Sequence, residues 1–367
     1  MSMSLAAVYE GRPGQLALRE LPAPELRDGE VLVEVLGCTL CGSDLHTIHG
    51  RRETGTPVVL GHEIVGRVRS SAGAVRDIAG AELRTGDRVT WSIASSCGQC
   101  FYCQRDLPQK CLTLFKYGHR SGSESAAAEL RGGLAELCLL DARAAILRLP
   151  EDLSLESACP ANCATATVAA ALEAAAAALS PAMNDWTGRQ VVVTGAGMLG
   201  LTAAAMLRWR GAEVWNIEPA APRREWAARL GANPLTPAEA PAALARLNEG
   251  HGADAVFEMT GAPEAWQLAW PALRLGGVAV HVGAVFPTAA WPLPLEQLVR
   301  RQATLRGVHN YAPRHLLAAV EFLKHNDALM KPLVTTWLPL REANEALEAA
   351  SDPVNVRVGV RPTTGNR

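Results

Sequence analysis

Gln190-Val-Val-Val-Thr194-Gly195-Ala196-Gly197-Met198-Leu199-Gly200 is the stretch whose reading decides the fold. Its apolar start has the texture of a parallel strand buried on both faces. A glycine-rich turn follows directly, and Leu201 to Arg210 is compatible with a helix. Strand, glycine turn and helix in that order are what a dinucleotide site needs. The first glycine makes the tight turn, and the second lets a pyrophosphate approach the backbone at the positive end of the helix. The third lets helix and strand pack closely. Gly195, Gly197 and Gly200 fill those places, with Met198 and Leu199 between the last two.

Such a turn is a weak signal alone, and the next strand strengthens it. Glu213-Val-Trp-Asn-Ile-Glu218 ends in an acid eighteen residues after Gly200. A carboxylate there accepts hydrogen bonds from the adenosine ribose and repels a 2′-phosphate, which favours NAD over NADP. Arg223 and Arg224 are the competing signal, since they could hold a phosphate if Glu218 turned away. Further strands are expected at Ala253–Glu258 and over Gly276 to Val282. Upstream, Ala166 to Leu179 reads as an alanine-rich helix ending near Ser180-Pro181. Alternation of strands and helices predicts a doubly wound parallel sheet, here the cofactor domain at 161–310.

The preceding residues read differently. Glu30 to Leu36 and Glu63 to Arg69 alternate apolar and polar residues, and turn signals such as Pro13-Gly14, Asp28-Gly29 and Thr85-Gly86-Asp87 separate them. That is the pattern of half-buried strands in a β-rich domain, assigned to 1–160. Leu316 to His325 reads as a helix. A chain of 367 residues has room for two cores. Its formal net charge of −2 gives no hint of a nucleic-acid or membrane-surface partner. The N-terminus lacks a basic start and a long apolar core, so no signal peptide is expected. The longest uncharged run, Ser157 to Leu172, is too polar and interrupted to span a bilayer, and a cytoplasmic location is the expectation.

Within the β-rich part, Cys97, Cys100, Cys103 and Cys111 fall within fifteen residues, spaced Cys-x2-Cys-x2-Cys-x7-Cys. Four thiolates close the tetrahedron around Zn²⁺ and leave no open position, so such a site is structural. A disulfide cluster is the competing reading. Upstream lie Cys41-Gly-Ser43-Asp44-Leu-His46 and Gly61-His62-Glu63. A thiolate and an imidazole from separate loops are natural ligands for a second zinc, whose catalytic form needs three protein ligands and one free position.

With these motifs in order, the sequence resembles the zinc-dependent medium-chain alcohol dehydrogenases along nearly its whole length. The resemblance implies a GroES-like catalytic domain, 1–160 joined by 311–367, beside a Rossmann cofactor domain, with nicotinamide, zinc and substrate held between the two. It implies Cys41 and His62 as ligands of a catalytic zinc. For the third ligand, Cys159 and Cys163 are both candidates, with Glu156 more remote. The family's spacing, a cysteine four residues before a threonine that touches the nicotinamide, selects Cys163 with Thr167. By resemblance Ser43 and His46 relay the alcohol proton, Asp44 orients the histidine ligand, and Glu63 lies behind the metal. Val282, Gly283 and Ala284 touch the nicotinamide carboxamide, a basic residue in the Arg223 position also serves NAD enzymes, and Arg357 reaches the cofactor phosphates. The segment from about Pro292 to Arg306 matches the part through which family members pair, implying a homodimer or homotetramer.

Lys116-Tyr-Gly-His119 follows the four-thiol loop where the family borders its substrate, and His49-Gly-Arg51-Arg52 lies between the first two ligands. A desolvated cation beside zinc suggests an anionic substrate, contacted by Arg51, Arg52, Lys116 or His119. Solvated surface charge is the competing reading. These motifs are similar to a subgroup associated with phosphonate metabolism. The expectation is a two-zinc, NAD-dependent dehydrogenase of a secondary alcohol, such as a hydroxyphosphonate. The alternatives are a dehydrogenase of a neutral or cyclic secondary alcohol, a zinc-free reductase, and a catalytically silent zinc-binding protein of the same fold.

Overall fold

The computed structural model describes residues 2–119, 129–179, 185–285, 287, 289–291 and 293–362. Gln190–Thr194 is a central strand of a six-stranded parallel sheet. The order is Asn233–Leu235, Glu213–Ile217, Gln190–Thr194, Ala253–Glu258, Leu273–His281 and Thr304–Gly307. Val191 pairs with Val214 on one side and Ala255 on the other, and Val191, Val192 and Val193 are fully buried. This is the doubly wound order in which a dinucleotide fold reverses direction beside its first strand.

The helix after the glycine turn runs Met198–Trp209, starting earlier than the apolar pattern suggested. Gly197 caps it, and the Leu201 amide donates to the Gly197 carbonyl at 2.9 Å. The alanine-rich helix is Ala164–Leu179, and its expected stop at Ser180-Pro181 lies outside the described residues. The late helix is Pro313–Met330, longer at both ends than its apolar core, with Pro313 supplying a pre-set first turn. Pro292 also lies outside the described residues, but the helix Leu295–Arg301 and the edge strand Thr304–Gly307 follow it. All four residues of that strand are exposed.

By its internal contacts the chain divides into two units, Met1–Ala166 with Tyr311–Arg367, and Thr167–Asn310. The first boundary falls six residues beyond 160. The reason is local: the Asn162 amide is buried against the carbonyls of His62 and Trp91, which holds Asn162 and Cys163 to the first unit.

The main sheet of the first unit runs Ile146–Arg148, Arg88–Trp91, Glu63–Ser71, Val31–Thr39, Arg357–Arg361, Val334–Pro339, and Leu137–Leu140 also pairs with Val31–Thr39. One register positions the site. Thr39 pairs with Glu63 in antiparallel fashion, so Cys41, just past one strand, and His62, just before the other, leave the sheet at the same end. Among the described residues no single helix is long and apolar enough to cross a membrane.

Candidate metal centre and dinucleotide turn

Cys41 caps the short helix Gly42–Ile48, His62 precedes its strand, and Cys163 follows the 3₁₀ turn Cys159–Asn162. The ligand atoms of Cys41, His62, Glu63 and Cys163 all lie within 4.8 Å of one another. Cys163 donates to Cys41, which pushes the Cys41 thiol well below its ordinary range and holds Cys163 well above it. Burial alone would lower the His62 pKa, but Asp44 and Cys41 push it up to about 10. Neither ring nitrogen of this buried histidine makes a well-formed hydrogen bond. Cys159 lies apart, its thiol donating to the Gly37 carbonyl, and Glu156 faces Arg361.

Around these groups the side chains are buried and committed. Asp44, fully buried, accepts from the Cys41 amide at 2.9 Å and the Gly61 amide at 3.3 Å, and its Oδ1 lies 3.3 Å from His62 Nδ1. Glu63 accepts from Thr39 Oγ1 at 2.6 Å and from Arg357 Nη2 at 3.0 Å. Burial pushes the Glu63 carboxyl up to about 7 against the opposing pull of Arg357. Arg357, which the sequence reading sends to the cofactor phosphates, also donates to the Leu40 carbonyl. Ser43 and His46 stand three apart on one helix, hence on one face. Burial first, then Arg51, lowers the His46 pKa.

The four residues expected to meet an anion separate into two groups, and burial first, then His62 and Arg52, holds the His119 pKa well below the ordinary histidine range. His119 is buried, its ring centroid 4.8 Å from that of His62, and its Nε2 lies 3.4 Å from Arg52 Nη1. Lys116 is half-buried and has no hydrogen-bond or ion-pair partner among the described residues. Burial lowers its pKa to about 8, and the charges of Arg52 and Lys110 add to that, while Cys163 opposes it. Arg51 is exposed and stands outside this set.

The four-thiol loop is gathered locally. Cys100 Sγ lies 3.5 Å from Cys103 Sγ and 3.9 Å from Cys111 Sγ, and the Cys97 amide donates to Cys111 Sγ at 3.2 Å. A tetrahedron of ordinary zinc–sulfur bonds has edges of about 3.8 Å. Amides of Leu112 and Cys103 donate to Cys100 and pull its thiol down to about 6. All four cysteines are free, which rules against the disulfide reading.

In the second unit, Gly195 has a φ of +84°, which only glycine adopts without strain. A Cβ on Gly200 would fall 2.0 Å from the Gly195 carbonyl oxygen, whereas a Cβ on Gly197 would meet nothing within 4 Å. The third glycine is therefore a packing requirement, and the second borders open space. Glu218 closes over the turn, accepting from the Ala196 amide at 2.7 Å and the Ala220 amide at 2.9 Å. Arg224 is spent on the carbonyls of Glu218 and Pro219. Val282 and Gly283 donate to the Glu258 carbonyl, and Ala284 and Thr167 sit in the same unit.

Comparison with known proteins agrees with this geometry. Residues 27–151 match the alcohol dehydrogenase GroES-like domain, and residues 199–325 match the zinc-binding dehydrogenase family. A crystal structure of an alcohol dehydrogenase from Thermotoga maritima superposes with a TM-score of 0.92 at 30% identity, covering 99% of this chain and 100% of that one. A medium chain reductase/dehydrogenase of Acremonium is 32% identical over 76% of this chain and 93% of its own length. The chain belongs to the zinc-dependent medium-chain alcohol dehydrogenases. A D-arabitol-phosphate dehydrogenase of Enterococcus avium is 27% identical over 98% of this chain and 97% of its own length. This dehydrogenase is accordingly an oxidoreductase acting on CH–OH groups, and its family uses zinc and NAD(P).

The donor set fits such an enzyme. Two sulfurs and an imidazole whose ring nitrogens lack a hydrogen bond match a zinc site, and the open ground at Gly197 matches a pyrophosphate. Sequence reasoning missed three contributors to the dehydrogenase site: Thr39 on Glu63, Asn162 on His62, and Tyr311 on Asn162. Only Asn162 carried a signal, its place next to the candidate ligand Cys163.

Proposed function

We propose that this dehydrogenase holds a structural zinc at Cys97, Cys100, Cys103 and Cys111 and a catalytic zinc at Cys41, His62 and Cys163. We further propose that it uses NAD to oxidise a secondary alcohol bearing an anionic group, such as a hydroxyphosphonate. The observation that carries the substrate class is the pair of cations beside the metal cluster, Lys116 and Arg52. Lys116 is half-buried, unpaired among the described residues, and close enough to Cys163 to feel its charge, with Arg52 and His119 adjoining. A buried cation without a partner is costly unless a ligand supplies the countercharge. The phosphorylated substrate named for the Enterococcus relative is consistent with it.

When bound, zinc supplies a Lewis acid that makes the substrate hydroxyl acidic, and the dinucleotide supplies the hydride acceptor. Ser43 takes up the hydroxyl proton, and His46, kept neutral by burial and by Arg51, passes it to solvent. Asp44 holds Cys41 and His62 in place, and Glu63, braced by Thr39 and Arg357, stands behind the cluster. Glu218 favours NAD by reserving the ribose edge for hydroxyls, and Arg224, already spent on carbonyls, is a poor phosphate ligand. Thr167, Met198, Leu199, Arg223, Val282, Gly283 and Ala284 complete the cofactor contacts in this reading. The exposed strand Thr304–Gly307, with Leu295 and Val299 exposed nearby, supports pairing into a homodimer or homotetramer. A cytoplasmic location completes the proposal.

The test measures kcat/KM with NAD and with NADP on a hydroxyphosphonate, a polyol phosphate, a hydroxy acid and a neutral secondary alcohol. Lys116→Ala should lose on the order of tenfold more on the anions than on the neutral alcohol, as for one charge-assisted hydrogen bond. Equal losses on both would remove the anionic class. Preference for NADP would overturn the cofactor reading.

A further inference from the structure

Asn162 is fully buried, and its Nδ2 donates to two backbone carbonyls, His62 at 2.9 Å and Trp91 at 2.8 Å. Two carbonyl acceptors fix the orientation of the amide, which leaves its Oδ1 without a partner among the described residues. An apolar side chain would avoid that orphan oxygen, so the double donor must serve a purpose. The strands Glu63–Ser71 and Arg88–Trp91 register together at Gly66–Val89 and Arg67–Arg88 only. On the side facing Glu63–Ser71, Trp91 lies beyond those pairs, its register partner Ile146 being on the other side, and the Asn162 amide takes the carbonyls of both His62 and Trp91.

The backbone of Asn162 is clamped as well. Its carbonyl accepts a short hydrogen bond from the Tyr311 hydroxyl, which in turn accepts from the Ile93 amide at 3.2 Å. Tyr311 is 2% exposed, and burial raises its phenol pKa, so the hydroxyl keeps the proton it donates. The next residue is Cys163. One side chain thus binds the backbone of His62, and one phenol fixes the peptide leading into Cys163.

We infer that Asn162 and Tyr311 are positioning residues that set the distance and angle between His62 and Cys163, and so tune the affinity and geometry of the metal site. The inference rests on the reading of Cys41, His62 and Cys163 as zinc ligands. Neither residue touches the metal cluster through its side chain in the hydrogen bonds they make. Their effect is on how closely two ligands, far apart in sequence, are held before a metal arrives.

The experiment uses the full-length, zinc-loaded enzyme, with zinc release to a coloured chelator followed in time. Cobalt-exchanged protein supplies the visible d–d spectrum as a readout of coordination geometry. Wild type should hold two zinc ions per chain, released in two phases. Asn162→Ala should release one of the two about 10–100 times faster and leave the other phase unchanged, with an altered cobalt spectrum. Tyr311→Phe should act in the same direction more weakly. Wild-type release and an unaltered cobalt spectrum in folded Asn162→Ala would overturn the inference. So would loss of fold in both variants, which would make the pair a core element only. If wild type itself held a single metal ion, the zinc-ligand reading would fail instead, and the two failures are distinct.

Discussion

The four-thiol loop draws its cysteines from fifteen consecutive residues, whereas Cys41, His62 and Cys163 arrive from three separate elements. The loop is supported by backbone amides: Leu112 and Cys103 donate to Cys100, and Cys97 donates to Cys111. The other cluster is supported by buried side chains, with Asp44, Thr39, Arg357 and Asn162 each committed to one of its members or that member's backbone. A closed set of four soft ligands needs only a chain that can wrap around an ion. An open set of three needs the rest of the unit to hold the ligands where the fourth corner stays free. The first arrangement can serve stability, and the second can serve chemistry.

That contrast can be broken by exchange of roles. His62→Ala should cut kcat by roughly a thousandfold or more, since several kcal/mol of Lewis-acid stabilisation disappear, while circular dichroism stays unchanged. One zinc per chain should remain by atomic absorption. A folded variant with near-normal turnover would end the distinction. Cys103→Ser should do the converse. The midpoint of thermal unfolding should drop by roughly 5–15 °C, with residual turnover at low temperature. A complete loss of turnover without a change in midpoint would place the chemistry in the wrong cluster.

Finer differences sharpen the comparison. Asp44→Asn keeps the shape and removes the charge that holds the Cys41 amide and faces His62, and should lower metal affinity about 10–100-fold at that cluster alone. Competition with a chelator measures it. The smallest effect concerns Lys116, which follows the four-thiol loop yet feels Cys163. Its pKa of about 8 comes from burial, then from Arg52 and Lys110, with Cys163 opposing. A lysine whose folded pKa lies below its unfolded value of about 10.4 binds fewer protons when folded between the two values. That group's contribution to stability therefore rises as pH climbs from about 8 toward 10. Chemical denaturation of wild type and Lys116→Met across that range should show an increment of about 1 kcal/mol or more in wild type and none in the variant. Parallel curves would show that Lys116 is solvated.

The sequence made the loop legible because its geometry is local. Three cysteines at steps of three and a fourth eight residues on state their partners by spacing alone. The glycine turn was legible for the same reason, and Gly200 packs on Gly195 as that spacing requires. Cys41 and His62 were readable from short motifs, and Cys163 was chosen over Cys159 only through its distance to Thr167. The supporting contacts were not legible. Glu63 and Arg357 are 294 residues apart, and Tyr311 reaches Asn162 across 149 residues, so no window of sequence contains both partners. The helix starts at Met198 and Pro313 were also missed, because a glycine cap and a first-turn proline extend a helix beyond its apolar stripe.

The strand Arg357–Arg361 lies inside the main sheet of the first unit, between Val31–Thr39 and Val334–Pro339, although it comes last in chain order among the described strands. During synthesis the second unit is contiguous and can close while translation continues. The first unit must wait for this strand, which brings the Arg357 that pairs with the buried Glu63. A nascent chain short of that strand would carry every cysteine of both clusters before the main sheet of the first unit could close.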